Sequence, residues 1–132
     1  MRGGVVAGAV AAVVSGAPST GYALATGRDA LEATLGAGSI LLPHERRRLR
    51  LALAAVPVHL VLSLGWGVLL EHVLPRRPAV TAGAVAGLAI AAVDVGVVGR
   101  RFERVRALPL LPQLADHALY GATVAFVLRR RA

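Results

Sequence analysis

The sequence predicts an all-α membrane protein: a four-helix transmembrane bundle with one short interfacial or re-entrant helix after the first span. Three observations carry that prediction. The 132 residues are 56% hydrophobic and have a mean hydropathy of +0.66. Four apolar segments, at about 3–25, 51–70, 79–99 and 108–128, each reach the roughly 20 residues needed to cross a hydrocarbon core about 30 Å thick. The 15 arginines gather at the segment ends, as Arg46-Arg47-Arg48 with Arg50, Arg76-Arg77, Arg100-Arg101 with Arg104 and Arg106, and Arg129-Arg130-Arg131. Clusters in those places serve anionic lipid headgroups, so the lipid bilayer is the first expected partner. Residues 1–132 thus read as a single integral membrane domain, multi-pass and in the plasma membrane.

Composition also excludes classes. A net charge of +8 raises nucleic acid as a partner, but no basic face with interleaved aromatics exists to bind it. With no cysteine, disulfide and thiolate chemistry are ruled out. The 15 glycines lie mostly inside the apolar runs, where small residues let helix backbones approach closely in lipid.

The first span opens at Arg2, a pattern shared with signal peptides. Pro18 follows the most plausible small-residue cleavage position, however, so the segment is expected to be retained. Pro18 should kink it, freeing backbone groups for Ser15, Ser19 or Thr20 to satisfy. Thr26-Gly-Arg-Asp29 matches the pattern of a helix start, and the helix it opens, Ala30 to Leu42, is too short to span before Pro43 stops it. His44 to Arg48 reads as a headgroup-facing loop. The second span is interrupted only by Pro57, His59 and Ser63, with Trp66 placed toward its far end as an aromatic belt would have it. Pro75-Arg-Arg-Pro78 makes a turn into the third span, whose one ionisable residue is Asp94. Pro109 and Pro112 bend the start of the fourth.

The pattern suggests a two-fold internal repeat. Ala7-Gly-Ala-Val-Ala11 recurs as Ala82-Gly-Ala-Val-Ala86, and the same shift lays Ser19 over Asp94; more weakly, His59 lies over His117 and Ser63 over Gly121. Two spans per repeat would make the halves parallel.

Each span carries a seam of small residues at helical spacing, and each seam includes a polar residue. The first runs Gly4, Gly8, Ala12, Ser15, Ser19 and the third Gly83, Gly87, Ala91, Asp94. The second has His59, Ser63, Gly67 and the fourth His117, Gly121, Ala125. These seams also provide faces for a homo-oligomer. At 1.5 Å of rise per residue, His59, Asp94, Asp116 and His117 all fall roughly 9 to 17 Å from the basic loops on one side, so they can share one layer, with Ser19 and Tyr120 beside it. Charged groups at that depth cost several kcal/mol unless paired, so contacts of Asp94 with His117, or of His59 with Asp116, are expected.

Four chemistries suit such a layer: a proton relay or small transporter, a metal site of two His and two Asp, a haem held by His59 and His117, or interhelical glue without further role. No nucleophile with a positioned base can be argued, so the sequence leans away from an enzyme, and no cofactor is expected.

Several words support a resemblance. Ser-Gly-Ala-Pro18-Ser19-Thr20, Thr26-Gly-Arg-Asp29-Ala-Leu-Glu-Ala, Leu62-Ser-Leu-Gly-Trp-Gly67, Asp94-x-Gly-x-Val-Gly99-Arg-Arg101 and Asp116-His117-x-x-Tyr-Gly121 resemble small uncharacterised integral membrane proteins of actinobacteria. The last word alone is loosely similar to the YagU type of inner-membrane protein. The resemblance implies localisation and fold and brings no chemistry. For function, the expectation is a small membrane protein that transports or binds a small solute or protons through the His/Asp layer. The alternative is a structural or accessory membrane subunit. Arginine counts, six at one set of ends and nine in the other two loops, lean toward the longer loops in the cytoplasm and leave the orientation open.

Overall fold

The computed structural model describes residues 2–132, and these are helical throughout, with no strand among them. The helices are α1 (Arg2–Val14), α2 (Ala17–Ala25), α3 (Glu32–Leu41), α4 (Arg48–Val73), α5 (Val80–Val93), α6 (Glu103–Arg106) and α7 (Leu110–Arg131). Three stretches are long and apolar enough to cross a membrane: Arg2–Ala25, Arg48–Val73 and Val80–Arg101. At 22 residues α7 has the length, but Gln113, Asp116 and His117 interrupt its apolar run.

The first stretch is two helices, because Pro18 has no amide to continue the ladder of α1. The chain turns at Ser15 and Gly16 and restarts as α2, with the amide of Thr20 donating to the Gly16 carbonyl at 3.1 Å. The third stretch is also interrupted. At Asp94 the α-helical pattern of α5 widens into a π turn through Val98, then tightens into a 3₁₀ turn, Gly99–Arg101. Pro57, by contrast, sits inside α4 without ending it.

Thr26 does not start a helix as its motif predicts. Its amide and hydroxyl both donate to the Tyr22 carbonyl, at 3.0 and 2.7 Å, so it closes α2. Gly27 then takes φ +69°, and the Arg28 amide reaches back to the Ala23 carbonyl at 2.8 Å, a Schellman ending. Asp29 makes an Asx turn ahead of α3, its Oδ1 accepting from the Leu31 amide at 3.0 Å. The carboxylate of Asp29 also pairs with Arg48, which belongs to the first turn of α4 and not to the preceding loop. That guanidinium, with the Leu31 amide, holds the Asp29 carboxyl down to about 2.

The helices pack in the order α5, α7, α1, α4, with α3 lying across α4 and α6 and α2 resting on α7 and α3. Small residues make these contacts. A methyl group on Gly4 would fall 2.6 Å from the Gly67 carbonyl oxygen, and one on Gly8 would meet the Ser63 backbone. On the other side, Gly83 abuts the Gly121 carbonyl and Gly87 the His117 carbonyl. In lipid, where apolar side chains gain nothing by leaving their solvent, such close backbone packing is the main source of association. Both glycine seams are therefore occupied within the chain.

Ala7, Ala11, Leu70, Ile90, Tyr120 and Val124 form the buried core, with Trp66 and Ala86 against it. The outer surface is apolar. Val13 is 85% exposed, Val61 71% and Leu24 68%, as a surface that meets hydrocarbon should be. Arginines and acids confine their pairing to the ends, as in Arg28 with Glu32 at 2.8 Å and Arg50 with Glu45 at 3.2 Å.

Candidate functional site

The interruptions in the first and third stretches leave backbone groups without helical partners, and the site is built around them. The last carbonyls of a helix and the first amides of the next have nothing to bond within the chain segment. At the end of α1, the Ala12 carbonyl accepts from His59 Nε2 of α4 at 2.8 Å. At the start of α2, the Ser19 amide donates to Asp116 Oδ1 of α7 at 2.9 Å. A histidine thus terminates one helix and an aspartate caps the next, each from a neighbouring helix. The sense agrees with the helix dipole, which favours an anion at an N-terminus. Gln113 Nε2 donates to Ser19 Oγ at 3.0 Å and completes the cap.

Asp94 stands where α5 gives way to the π turn. Trp66 Nε1 donates to its Oδ2 at 3.0 Å and to its Oδ1 at 3.3 Å. His117 Nε2 lies 3.6 Å from the same Oδ2. The other imidazole nitrogen, Nδ1, is 2.8 Å from the Gln113 carbonyl oxygen. A carbonyl can only accept, so Nδ1 carries a proton, and in the neutral ring Nε2 presents a lone pair to Asp94. One further proton, on Nε2 or on the carboxyl, turns these two facing acceptors into a donor and an acceptor. Tyr120 closes the layer, its hydroxyl donating to the Ser63 carbonyl.

All these groups border one cavity of about 590 Å³, roofed by α3 and walled by α4, α5 and α7. His59, Asp94, Asp116, His117 and Tyr120 line it, and Ser19 stands behind Asp116. The expected contact of Asp94 with His117 is present as a 3.6 Å approach. That of His59 with Asp116 is not made, because both side chains are taken by the backbone of the α1/α2 break.

Two residues of the site escape the sequence reading. Trp66 is not a belt residue: its indole N–H is committed to Asp94. Its spacing of three from Ser63, on the seam of the second span, is the signal that would have found it. Gln113 is visible in the sequence as an amide inside an apolar run, next to Pro112, and nothing there ties it to Ser19. The metal arrangement of two His and two Asp is not assembled, since no group of three or more such side chains among the described residues is placed to hold an ion. A haem between His59 and His117 would have to break the bond of His59 Nε2 to α1.

No known family, curated protein or solved structure matches this chain.

Proposed function

We propose that the chain is a four-span plasma-membrane protein that binds and moves a small solute or protons through the layer of His59, Asp94, Asp116 and His117. The observation that carries this is the cavity of about 590 Å³, which meets all four ionisable side chains at the two points where membrane-length helices are interrupted. Ligand cavities run to roughly 300–1,000 Å³, and broken helices at mid-membrane are a recurring way to build a transport site. Setting two acids and two histidines along membrane-length helices for glue alone returns little, since interhelical hydrogen bonds in lipid average about 0.6 kcal/mol.

In this reading α7 is the fourth span, with Arg129–Arg131 at its headgroup end, where Arg130 lies 4.9 Å over the Phe126 ring. A duplicated helix pair is supported by matching contacts. Gly8 meets Ser63 as Gly83 meets Gly121, and Ala12 meets His59 as Gly87 meets His117, the same pairs that the sequence repeat superposes. The first and third spans are also broken within a few residues of superposed positions, at Ser15 and Gly16 in one and at Asp94 in the other. Because the cavity is lined by α3 and by Leu108, it lies toward the loops with nine arginines, the cytoplasmic side by the positive-inside rule.

The experiment is proton flux into liposomes holding the purified chain and a pH-sensitive dye. Flux above that of protein-free vesicles, lost in Asp94→Asn and His117→Ala, is the expected result. The competing reading, an accessory subunit, is favoured by one observation: no buried side-chain polar atom among the described residues lacks a partner. It expects no flux and variants that differ only in stability.

A further inference from the structure

The cavity is selective in what it collects. None of the chain's 15 arginines lines it, although arginine is the commonest charged residue; the ionisable side chains that do are Asp94, Asp116, His59, His117 and Tyr120. The rest of the lining is largely apolar, with Val56, Leu62, Ile90 and Leu108 among it. It contains too few free oxygens to replace the shell of a hydrated metal ion, because Asp116 is spent on the Ser19 amide and Asp94 already receives Trp66.

The proton on the Asp94–His117 pair decides what fits. With Nδ1–H fixed on the Gln113 carbonyl, the pair is stable when it holds one more proton, on Nε2 or on the carboxyl. If that proton leaves, a carboxylate and a lone pair face each other at 3.6 Å, in a pocket that already contains Asp116 and no fixed cation. The carboxylate then keeps the Trp66 N–H as its one donor and has no opposite charge beside it, and a carboxylate within a membrane span is costly without one. A cation beside Asp94 would supply the charge that the proton took away.

We propose that the cavity binds a lipophilic organic cation in exchange for the proton shared by Asp94 and His117. The inference rests on the reading of the layer as a transport site and names its substrate class. The positive centre takes the place of the proton beside Asp94, and the apolar walls receive the substituents; the proton passes to solvent, and no bond to the ligand is made. The titratable side chains that share the cavity with Asp94 are His117, Asp116 and Tyr120 from α7 and His59 from α4, the neutral Trp66 donates to it, and no charged side chain from α1, α2 or α3 joins them in the cavity lining.

The test uses the full chain in a zwitterionic detergent, with tetraphenylphosphonium as probe and tetraphenylborate as its counterpart of the same shape and opposite charge. Saturable binding of the cation alone is expected, with release of about one proton per cation and about tenfold weaker binding for each pH unit of acidification once the pair is protonated. Asp94→Asn should weaken it at least about tenfold, since the carboxamide keeps a partner for His117 and removes the charge. Equal binding of the borate, binding without proton release, or undiminished binding by a folded Asp94→Asn would each overturn the proposal. Proton release is read on the unmodified chain, so a variant that fails to fold leaves the test intact. Proton flux in liposomes without cation binding would sink the cation and spare the transport reading, whereas loss of both would sink the two together.

Discussion

Asp116, on the fourth long helix, caps the helix that begins beside Ser19 on the first: its Oδ1 accepts from the Ser19 main-chain amide at 2.9 Å, across 97 residues of sequence. A proline-made break in one helix is thereby repaired by an acid from another. The repair can be separated from the charge. Asp116→Asn keeps an oxygen acceptor for the amide and should lose about 1 kcal/mol or less. Asp116→Ala leaves the amide without a partner and should lose about 1–3 kcal/mol. Unfolding in mixed micelles measures both, and equal losses would refute the capping role.

The glycine seams make a sharper stability prediction. Gly87→Ala and Gly121→Ala place a methyl on the backbone of the facing helix and should each cost several kcal/mol or prevent folding, because neither backbone can yield. Gly65→Ala meets nothing within 4 Å and should stabilise by up to about 1 kcal/mol through helix propensity. Thermal unfolding followed by circular dichroism ranks the three, and a costly Gly65→Ala would contradict the packing described.

Asp94 and His117 should couple weakly in stability. Their 3.6 Å approach is longer than a hydrogen bond, and Asp94 already has the Trp66 indole. A double-mutant cycle with Asp94→Asn and His117→Ala is expected to return about 1 kcal/mol or less, within the range found for interhelical polar pairs. A coupling of several kcal/mol would make the pair a structural bolt and count against the transport reading.

The attachment of α3 to α4 should be acid-labile. Arg48, and after it the Leu31 amide, lower the Asp29 carboxyl from an ordinary 3.8 to about 2. A depressed folded value means that the contribution is full above about 4 and disappears as pH falls toward 2. Both side chains are exposed, so the effect is also screened by salt. Protection of the first α3 amides, corrected for intrinsic rates, should therefore fall modestly over that window, and Asp29→Asn should abolish that pH dependence.

How far the sequence reveals this molecule depends on whether a signal is local. The membrane-length helices, the break at Pro18 and the short helix before Pro43 are legible because apolar length and proline act on their own neighbourhood. The seams are legible because helical spacing puts Gly4 and Gly8, or Gly83 and Gly87, on one face. The partners of polar groups are not. Trp66 looks like an interfacial anchor until the position of Asp94 across the bundle is known, and Gln113 has no local reason to seek Ser19. His59 and Asp116 look like a pair in one dimension, yet each prefers a stranded backbone group, because an unsatisfied amide or carbonyl in a membrane leaves no cheaper option. Thr26 misleads for a related reason: the same hydroxyl can begin a helix or finish one, and Gly27 decides which.

The break between α1 and α2 also divides the first span in its tolerance of change. One face of its α1 half is wedged between α4 and α7, with Ala7 and Ala11 fully enclosed and Gly4 and Gly8 against neighbouring backbone, so enlargement on that face is penalised. Beyond the break, Gly16 and Gly21 have open space beside them and Thr20 faces the cavity. One short segment thus combines a frozen anchor with a stretch open to variation. Substitutions at Gly16 or Thr20 should therefore reshape the cavity wall while the helices beneath keep their packing.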